Sequence, residues 1–186
     1  MKVKQKLIGV DEAGRGAWAG PLVAAAVALD KEIPGLNDSK RLTPKRRESF
    51  YEMILGDTQV GVGIVEPGDI DKHGLTWAQT AAMQRAVDNL GQIDAQIIVD
   101  GSVDYLNLPN SRAVVRADSW VTSVMAASII AKVTRDKIMA GYEAEYPGYG
   151  FSAHKGYGTA IHMRALKDLG ICQLHRRSYK PVAALL

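Results

Sequence analysis

The sequence predicts an α/β fold that closes in a helical carboxy-terminal region. Three observations carry this expectation. Short apolar or alternating runs at 7–10, 22–29, 60–65 and 95–100 have the length and period of strands. Longer segments at 43–55, 76–90, 119–146 and 159–169 have helical length and end signals. The two kinds of segment mix within one unit of 186 residues.

Taken in order, residues 7–10 form an apolar run that ends at Asp11, and 22–29 is a continuous run of valine, leucine and alanine suited to a buried strand. Residues 60–65 alternate with period two. Short connections are available between the first two strands, which predicts an antiparallel start. Thr43-Pro44 reads as an N-cap followed by an N1 proline, so a helix starts there and runs to about Leu55, stopped by Gly56. The second helix stops at Gly91. The fourth strand ends in Asp100-Gly101, and 112–115 is a short fifth. The long helix carries Val121, Val124, Met125, Ser128, Ile129, Lys132 and Val133 on or near one stripe, and the last clear helix ends at Gly170.

Length gives about one domain, taken as residues 1–186, with 151–186 as its basic carboxy-terminal helical part. Hydrophobic residues at 47% and charged residues at 23% exclude a disordered tail, a collagen and a disulfide scaffold. The single cysteine, Cys172, excludes an intrachain disulfide. No apolar run approaches the ~18 residues of a membrane span. The apolar run after the amino-terminal lysines is cut short by Asp11 and Glu12, so a targeting segment is not expected and the expected compartment is the cytoplasm. Net charge is +3 overall, but 151–186 carries +5 against −2 for the first 150 residues. A second basic cluster comprises Lys40, Arg41, Lys45, Arg46 and Arg47. Two basic patches on a near-neutral body suit a polyanionic partner, or are simply solvated surface.

Carboxylates fall at strand ends or helix starts three times: Asp11-Glu12, Asp100 and Asp118. Such oxygen donors suit a hard cation such as Mg²⁺ or Mn²⁺. The histidines and Cys172 lack zinc-like spacing. Neighbours in a regular strand point to opposite faces, so Asp11 and Glu12 reach one site together only if the strand ends or bends there. Otherwise one acid binds and the other caps or pairs with Arg15. Gly14-Arg15-Gly16 offers backbone N–H groups and a guanidinium to phosphate or sugar oxygens, or is a tight turn only. The polar loop Asn37-Asp38-Ser39-Lys40 suits phosphate contacts. His154-Lys155-Gly156-Tyr157-Gly158-Thr159 sets a ring and a cation in a glycine-flanked loop. Asp136 stands 18 residues beyond Asp118 on the long helix and reads as a surface or packing partner.

Ile8-Gly9-Val10-Asp11-Glu12-Ala13-Gly14-Arg15-Gly16 resembles the opening motif of the ribonuclease HII family, the bacterial type 2 ribonucleases H. The segments 37–40, 99–101, 116–118, 126–136, 154–159 and 175–181 follow in the family's order, so the resemblance covers about 7–181. It implies a ribonuclease H-like fold with a mixed sheet. It implies an endonuclease, a phosphodiester hydrolase that needs a divalent metal, Mn²⁺ or Mg²⁺. The enzyme would cut the RNA strand of RNA–DNA hybrids and cut 5′ of ribonucleotides embedded in duplex DNA. The ends would be 3′-hydroxyl and 5′-phosphate, and the role removal of ribonucleotides from DNA in repair and replication. Asp11, Glu12, Asp100 and Asp118 are the implied catalytic metal ligands. Gly14, Arg15, Gly16, Lys40, Arg46 and Tyr157 are the expected substrate contacts, with Tyr157 sensing the RNA–DNA junction. The expected partner is an RNA–DNA hybrid or duplex DNA containing ribonucleotides, bound by a monomer, with no membrane. Trp18 and Trp120 depart from the family's pattern, and an additional amino-terminal domain of the ribonuclease HIII kind is not expected. Two other function classes share some of these features: another nuclease on a similar fold, and a non-catalytic nucleic-acid-binding module.

Overall fold

Five strands form a mixed sheet in the order β3-β2-β1-β4-β5. They are β1 (Leu7–Ala13), β2 (Leu22–Leu29), β3 (Gln59–Val65), β4 (Gln96–Asp100) and β5 (Ser111–Val114). The first three are antiparallel neighbours, and β4 and β5 add in parallel beyond β1. The structure is a computed structural model and describes residues 6–186 apart from Asp30, Glu32 and Asp38. Asp38 of the polar loop, and the amino-terminal Lys2 and Lys4, lie outside the described residues.

The helices are α1 (Pro44–Asp57), α2 (Pro67–His73), α3 (Leu75–Leu90), α4 (Thr122–Glu145), α5 (Phe151–His154), α6 (Ala160–Leu169) and α7 (Lys180–Ala183). Strand β2 is buried on both faces. Leu22, Ala24, Ala26 and Ala28 face Ala78, Ala82, Met83 and Ala86 of α3. Ala25 and Val27 face α4 and α1 through Ala126, Ala127, Ile130 and Ile54. The alanines keep the strand thin, so helices close on both sides of it.

The expected boundaries differ from the observed ones in four places. Strand β1 does not end at Asp11. Its antiparallel register with β2 continues through Asp11↔Ala25, Glu12↔Ala24 and Ala13↔Val23, because β2 goes on supplying backbone partners. Only the ladder to β4 stops, at Val10↔Val99. Helix α1 runs past Gly56 and is stopped by Thr58, whose hydroxyl and N–H both donate to the Ile54 carbonyl. The long helix starts at Thr122, after a separate 3-10 turn over Ala117–Ser119. Helix α2 is absent from the expected elements, although Pro67 at its start and Gly74 just past its end are helix signals. It carries Asp71, whose carboxylate accepts from the Arg177 and Ser178 N–H groups and the Ser178 hydroxyl, which anchors the carboxy-terminal segment.

Gly9 sets the spacing between β1 and α4. A Cβ there would fall 2.1 Å from the Ser123 carbonyl carbon and 2.2 Å from the Val124 nitrogen. The start of α4 therefore lies directly on β1. Gly9→Ala should cost about 1–3 kcal/mol of stability, the usual range for overpacking. Urea unfolding checks this.

Candidate active site

Period-two alternation sorts the acids. Even positions of β1, Ile8 and Val10, pack on the α3 side, whereas Ala13 packs on the α4 side. Asp11 thus faces α4, where the Ser128 side chain hydrogen-bonds it. On β4, Ile98 packs with Ala117, Val121 and Val124, so Asp100 faces the same way. The 3-10 turn delivers Asp118 to that face, and its N–H donates to Asp100 Oδ1 at 3.3 Å. Carboxylate oxygens of Asp11, Asp100 and Asp118 lie within 4.8 Å of one another.

Glu12 stands outside this three-aspartate group, across the strand, where regular pairing with β2 puts it. It remains electrostatically tied to the cluster at the tip of β4. Its carboxyl is raised to about 7, by burial first and by Asp100, against the lowering pull of Arg15. Burial also raises the Asp11 carboxyl well above the ordinary carboxylate range, with Glu12 and Asp100 adding to the effect. Asp100 is raised by burial and by Asp118. Lys40 Nζ pairs with Asp118 Oδ2 at 3.2 Å. Its side chain is 78% exposed, so solvent screens this bond and it compensates the cluster weakly. Clustered, half-desolvated carboxylates with one screened ammonium call for added positive charge. A donor set of oxygens fits a hard divalent cation.

Gly14 has φ +92°, and a Cβ on it would lie 2.0 Å from Arg135 Nε. The turn it opens exposes Arg15 and Gly16. Its carbonyls are engaged inward: Ala17 N–H donates to the Gly14 oxygen, while Arg176 and the Tyr179 hydroxyl donate to the Arg15 oxygen. Among the described residues, the Arg15 and Gly16 N–H groups have no protein acceptor. Turn and cluster adjoin, since the Glu12 carboxyl feels both Arg15 and Asp100.

Two residues that the sequence reading left without a role hold this turn in place. The Arg135 guanidinium, fully buried, donates to the carbonyls of Pro21, Ala19 and Lys155 at 2.9–3.0 Å. The Arg176 guanidinium, also fully buried, donates twice to Gly20, at 3.0 and 2.8 Å. Tyr157 places its ring 5.1 Å from the Arg135 guanidinium and 5.9 Å from Lys132 Nζ. Arg46 lies apart from this group: it is exposed in the first turn of α1, 5.9 Å from the centre of the Phe50 ring. Trp18 packs inward, against His162 at 5.6 Å, whereas Trp120 is 63% exposed two residues after Asp118. Asp136 pairs with Lys132 at 2.7 Å, as a surface partner on α4. A serine within a mostly apolar stripe is the sequence signal for Ser128. Its hydroxyl lies 2.8 Å from that of Ser39 and so ties the polar loop to the site.

The family model described as "Ribonuclease HII" matches residues 8–182. The chain belongs to the ribonuclease HII family. A Thermotoga petrophila ribonuclease HII is 45% identical over 178 residues, covering 96% of this chain and 74% of that protein. A Levilactobacillus brevis ribonuclease HII is 46% identical over 185 residues, covering 98% of this chain and 72% of that protein. The crystal structure of the ribonuclease H2 from Pyrococcus horikoshii superposes with a TM-score of 0.78 at 30% identity, covering 97% of this chain and 96% of that one. The resemblance drawn from the motifs and the ribonuclease H-like fold both hold. The protein is a ribonuclease H, an endonuclease acting on RNA–DNA hybrids. Among the described residues no helix is long and apolar enough to cross a membrane.

Two measurements test the electrostatics of the cluster. Asp11→Asn removes a buried charge, so in the metal-free protein it should raise the thermal midpoint by about 2–4 °C, the shift that ~1 kcal/mol produces at this size. The same variant should lose most of the further rise that Mn²⁺ or Mg²⁺ gives the parent. Glu12 supplies a pH signature. With an ordinary value of 4.5 and a folded value of about 7, folded Glu12 holds its proton where unfolded Glu12 has lost it. Its contribution to stability is present below pH 4.5 and is lost as pH rises through 7. Glu12→Gln should therefore be increasingly stabilised relative to the parent across that window, measured by denaturant unfolding without metal.

Proposed function

We propose that this ribonuclease H cuts 5′ of a ribonucleotide embedded in duplex DNA, leaving 3′-hydroxyl and 5′-phosphate ends, and so takes part in removing ribonucleotides from DNA. The observation that carries this reading is the pairing of a carboxylate cluster with a turn that presents two unclaimed backbone donors beside it. The 2′-hydroxyl is the group by which a protein tells ribose from deoxyribose. Donors at Arg15 and Gly16 pair with it in a ribonucleotide and are left unpaired by deoxyribose, which penalises DNA.

In this reading Asp11, Asp100 and Asp118 hold the divalent ion, Mn²⁺ or Mg²⁺, and Glu12 extends the set from across the strand tip. When bound, such an ion supplies an activated water and charge stabilisation for the departing 3′-oxygen. The chain's own groups bind and orient the substrate. Arg15, Lys40 and Arg46 offer cations to phosphates along the strand. Tyr157 packs its ring on the sugar next to the ribonucleotide and so reports the junction.

Cleavage of three matched duplexes tests the reading: one embedded ribonucleotide, a continuous RNA strand, and DNA alone. The first two should be cut and the third left intact. Cleavage of DNA alone at a similar rate would favour a nuclease with no 2′-hydroxyl reader. Asp100→Asn should lower cleavage by orders of magnitude with the fold retained, and normal turnover would remove it from the ligand set. Tyr157→Ala should lose roughly tenfold or more in kcat/KM on the single-ribonucleotide duplex, from a ring contact of about 1–3 kcal/mol, and less on the continuous hybrid. Equal losses on both substrates would remove Tyr157 from recognition.

A further inference from the structure

Three histidines outside the carboxylate cluster are packed into one buried group under the Tyr157 loop. His162 and His175 are essentially inaccessible, and His154 nearly so. The His154 and His162 rings stack, with centres 4.3 Å apart and planes 11° from parallel. Phe151 packs edge-on against both.

The hydrogen bonds of this group run in one direction. The Cys172 backbone N–H donates to His175 Nδ1 at 2.9 Å, so that nitrogen carries a lone pair and the proton sits on Nε2. His175 Nε2–H then donates to His162 Nε2 at 3.0 Å. His162 must therefore carry its own proton on Nδ1, which lies 3.0 Å from the Tyr157 carbonyl oxygen and donates to it. Burial holds both rings at about 4, so each is neutral near pH 7 and the pattern is kept. His154 works beside it: Gly156 N–H donates to its Nδ1 at 3.1 Å, and its Nε2–H donates to the Tyr149 carbonyl at 2.7 Å.

Every backbone polar group of Gly156 and Tyr157 is thereby engaged. The Gly156 carbonyl accepts from the Trp18 and Ala19 N–H groups, and Tyr157 N–H donates to the His154 carbonyl. The Tyr157 carbonyl accepts from His162 and from Thr159 N–H. The direction in which the Tyr157 side chain leaves the loop is set by these bonds, while its ring lies half-exposed over Arg135.

We propose that His162, oriented by His175, is a positioning residue for Tyr157 that sets how strongly the enzyme prefers a single embedded ribonucleotide over a continuous hybrid. This rests on the reading of Tyr157 as the junction contact. The His162 side chain itself is buried under the loop, and its effect passes through the Tyr157 carbonyl.

Two substitutions separate the ends of the ring. In His162→Asn the amide nitrogen takes the place of Nδ1 and keeps a donor on the Tyr157 carbonyl. In His162→Gln the amide reaches the Nε2 position, keeps an acceptor for His175 and leaves that carbonyl without its side-chain donor. Both variants lose ring packing, so both should melt earlier by similar amounts. The readout is the ratio of kcat/KM on the single-ribonucleotide duplex to that on the continuous hybrid. His162→Gln should lower the ratio about tenfold, the scale of one lost hydrogen bond, and His162→Asn should keep it within about threefold of the parent. Parallel losses of both variants on both substrates, in step with melting, would show a structural role only and overturn the proposal. Tyr157→Ala in the same assay distinguishes the two levels. If it lowers the ratio while His162→Gln does not, the inference falls and the junction reading stands. If it leaves the ratio unchanged, the junction reading falls and takes the role of His162 with it.

Discussion

Two buried guanidiniums hold the connection between β1 and β2 in place. Arg135 comes from the middle of α4 and Arg176 from the carboxy-terminal segment, and both project into the connection between β1 and β2. Among the described residues neither forms an ion pair within 4 Å, although Asp136 and Asp71 favour their charged forms from farther off. Their charge is met by carbonyl oxygens of residues 15, 19, 20, 21 and 155, and by the rings of Tyr157 and Tyr179 at 5.1 and 5.2 Å. An isolated buried cation is costly, but a planar fork that satisfies its donors with fixed carbonyls binds several turns of chain at once. Burial brings Arg135 down to about 10, which still leaves it charged at neutral pH. Because these carbonyls are drawn inward, the N–H groups at Arg15 and Gly16 are left for an external acceptor.

The same segment explains the place of the carboxy-terminal region. Ala19 and His175 form an antiparallel bridge, Gly20 N–H donates to the Leu174 carbonyl, and Arg176 N–H donates to the Trp18 carbonyl. A basic tail that composition marks as a patch for polyanions is thus also the floor of the β1–β2 turn. Arg176 is wholly interior, whereas Lys180 begins α7 at the surface. Charge counts along the sequence do not separate these two uses, because burial decides which guanidinium meets solvent.

The carboxylate cluster lacks such partners. Burial lowers Arg135 and Arg176, but fixed carbonyls meet their donors, while Asp11, Glu12 and Asp100 are all held above their ordinary range by burial and by neighbouring carboxylates. Ser128 and the backbone N–H groups of Glu12 and Asp118 relieve part of this. The remainder is a binding potential for cations, stored in the fold as reduced stability. The close approach of α4 to Gly9 and the α4–β2 packing keep the acids together against their repulsion.

Much of this was legible in the sequence. Period and end signals placed β2 at its observed limits and started α1 at Pro44, where Thr43 accepts from Arg46 N–H, because such signals act over a few residues. Residue type at strand ends and before the long helix pointed to Asp11, Glu12, Asp100 and Asp118, and the ordered motifs pointed to the family. Tertiary structure alone decided what depends on remote partners. Glu12 falls across the strand from the three aspartates because β2 continues to pair with β1 after β4 has stopped. Arg135 reads locally as one more charged helix residue, and becomes a brace because Pro21, Ala19 and Lys155 converge on it from far along the chain. His162 and His175 lack metal-like spacing, and the direction of the bond between them follows from a backbone N–H at Cys172. Local pattern specifies which element a residue joins; which face it takes and what it touches are set by where other strands end and which carbonyls they bring.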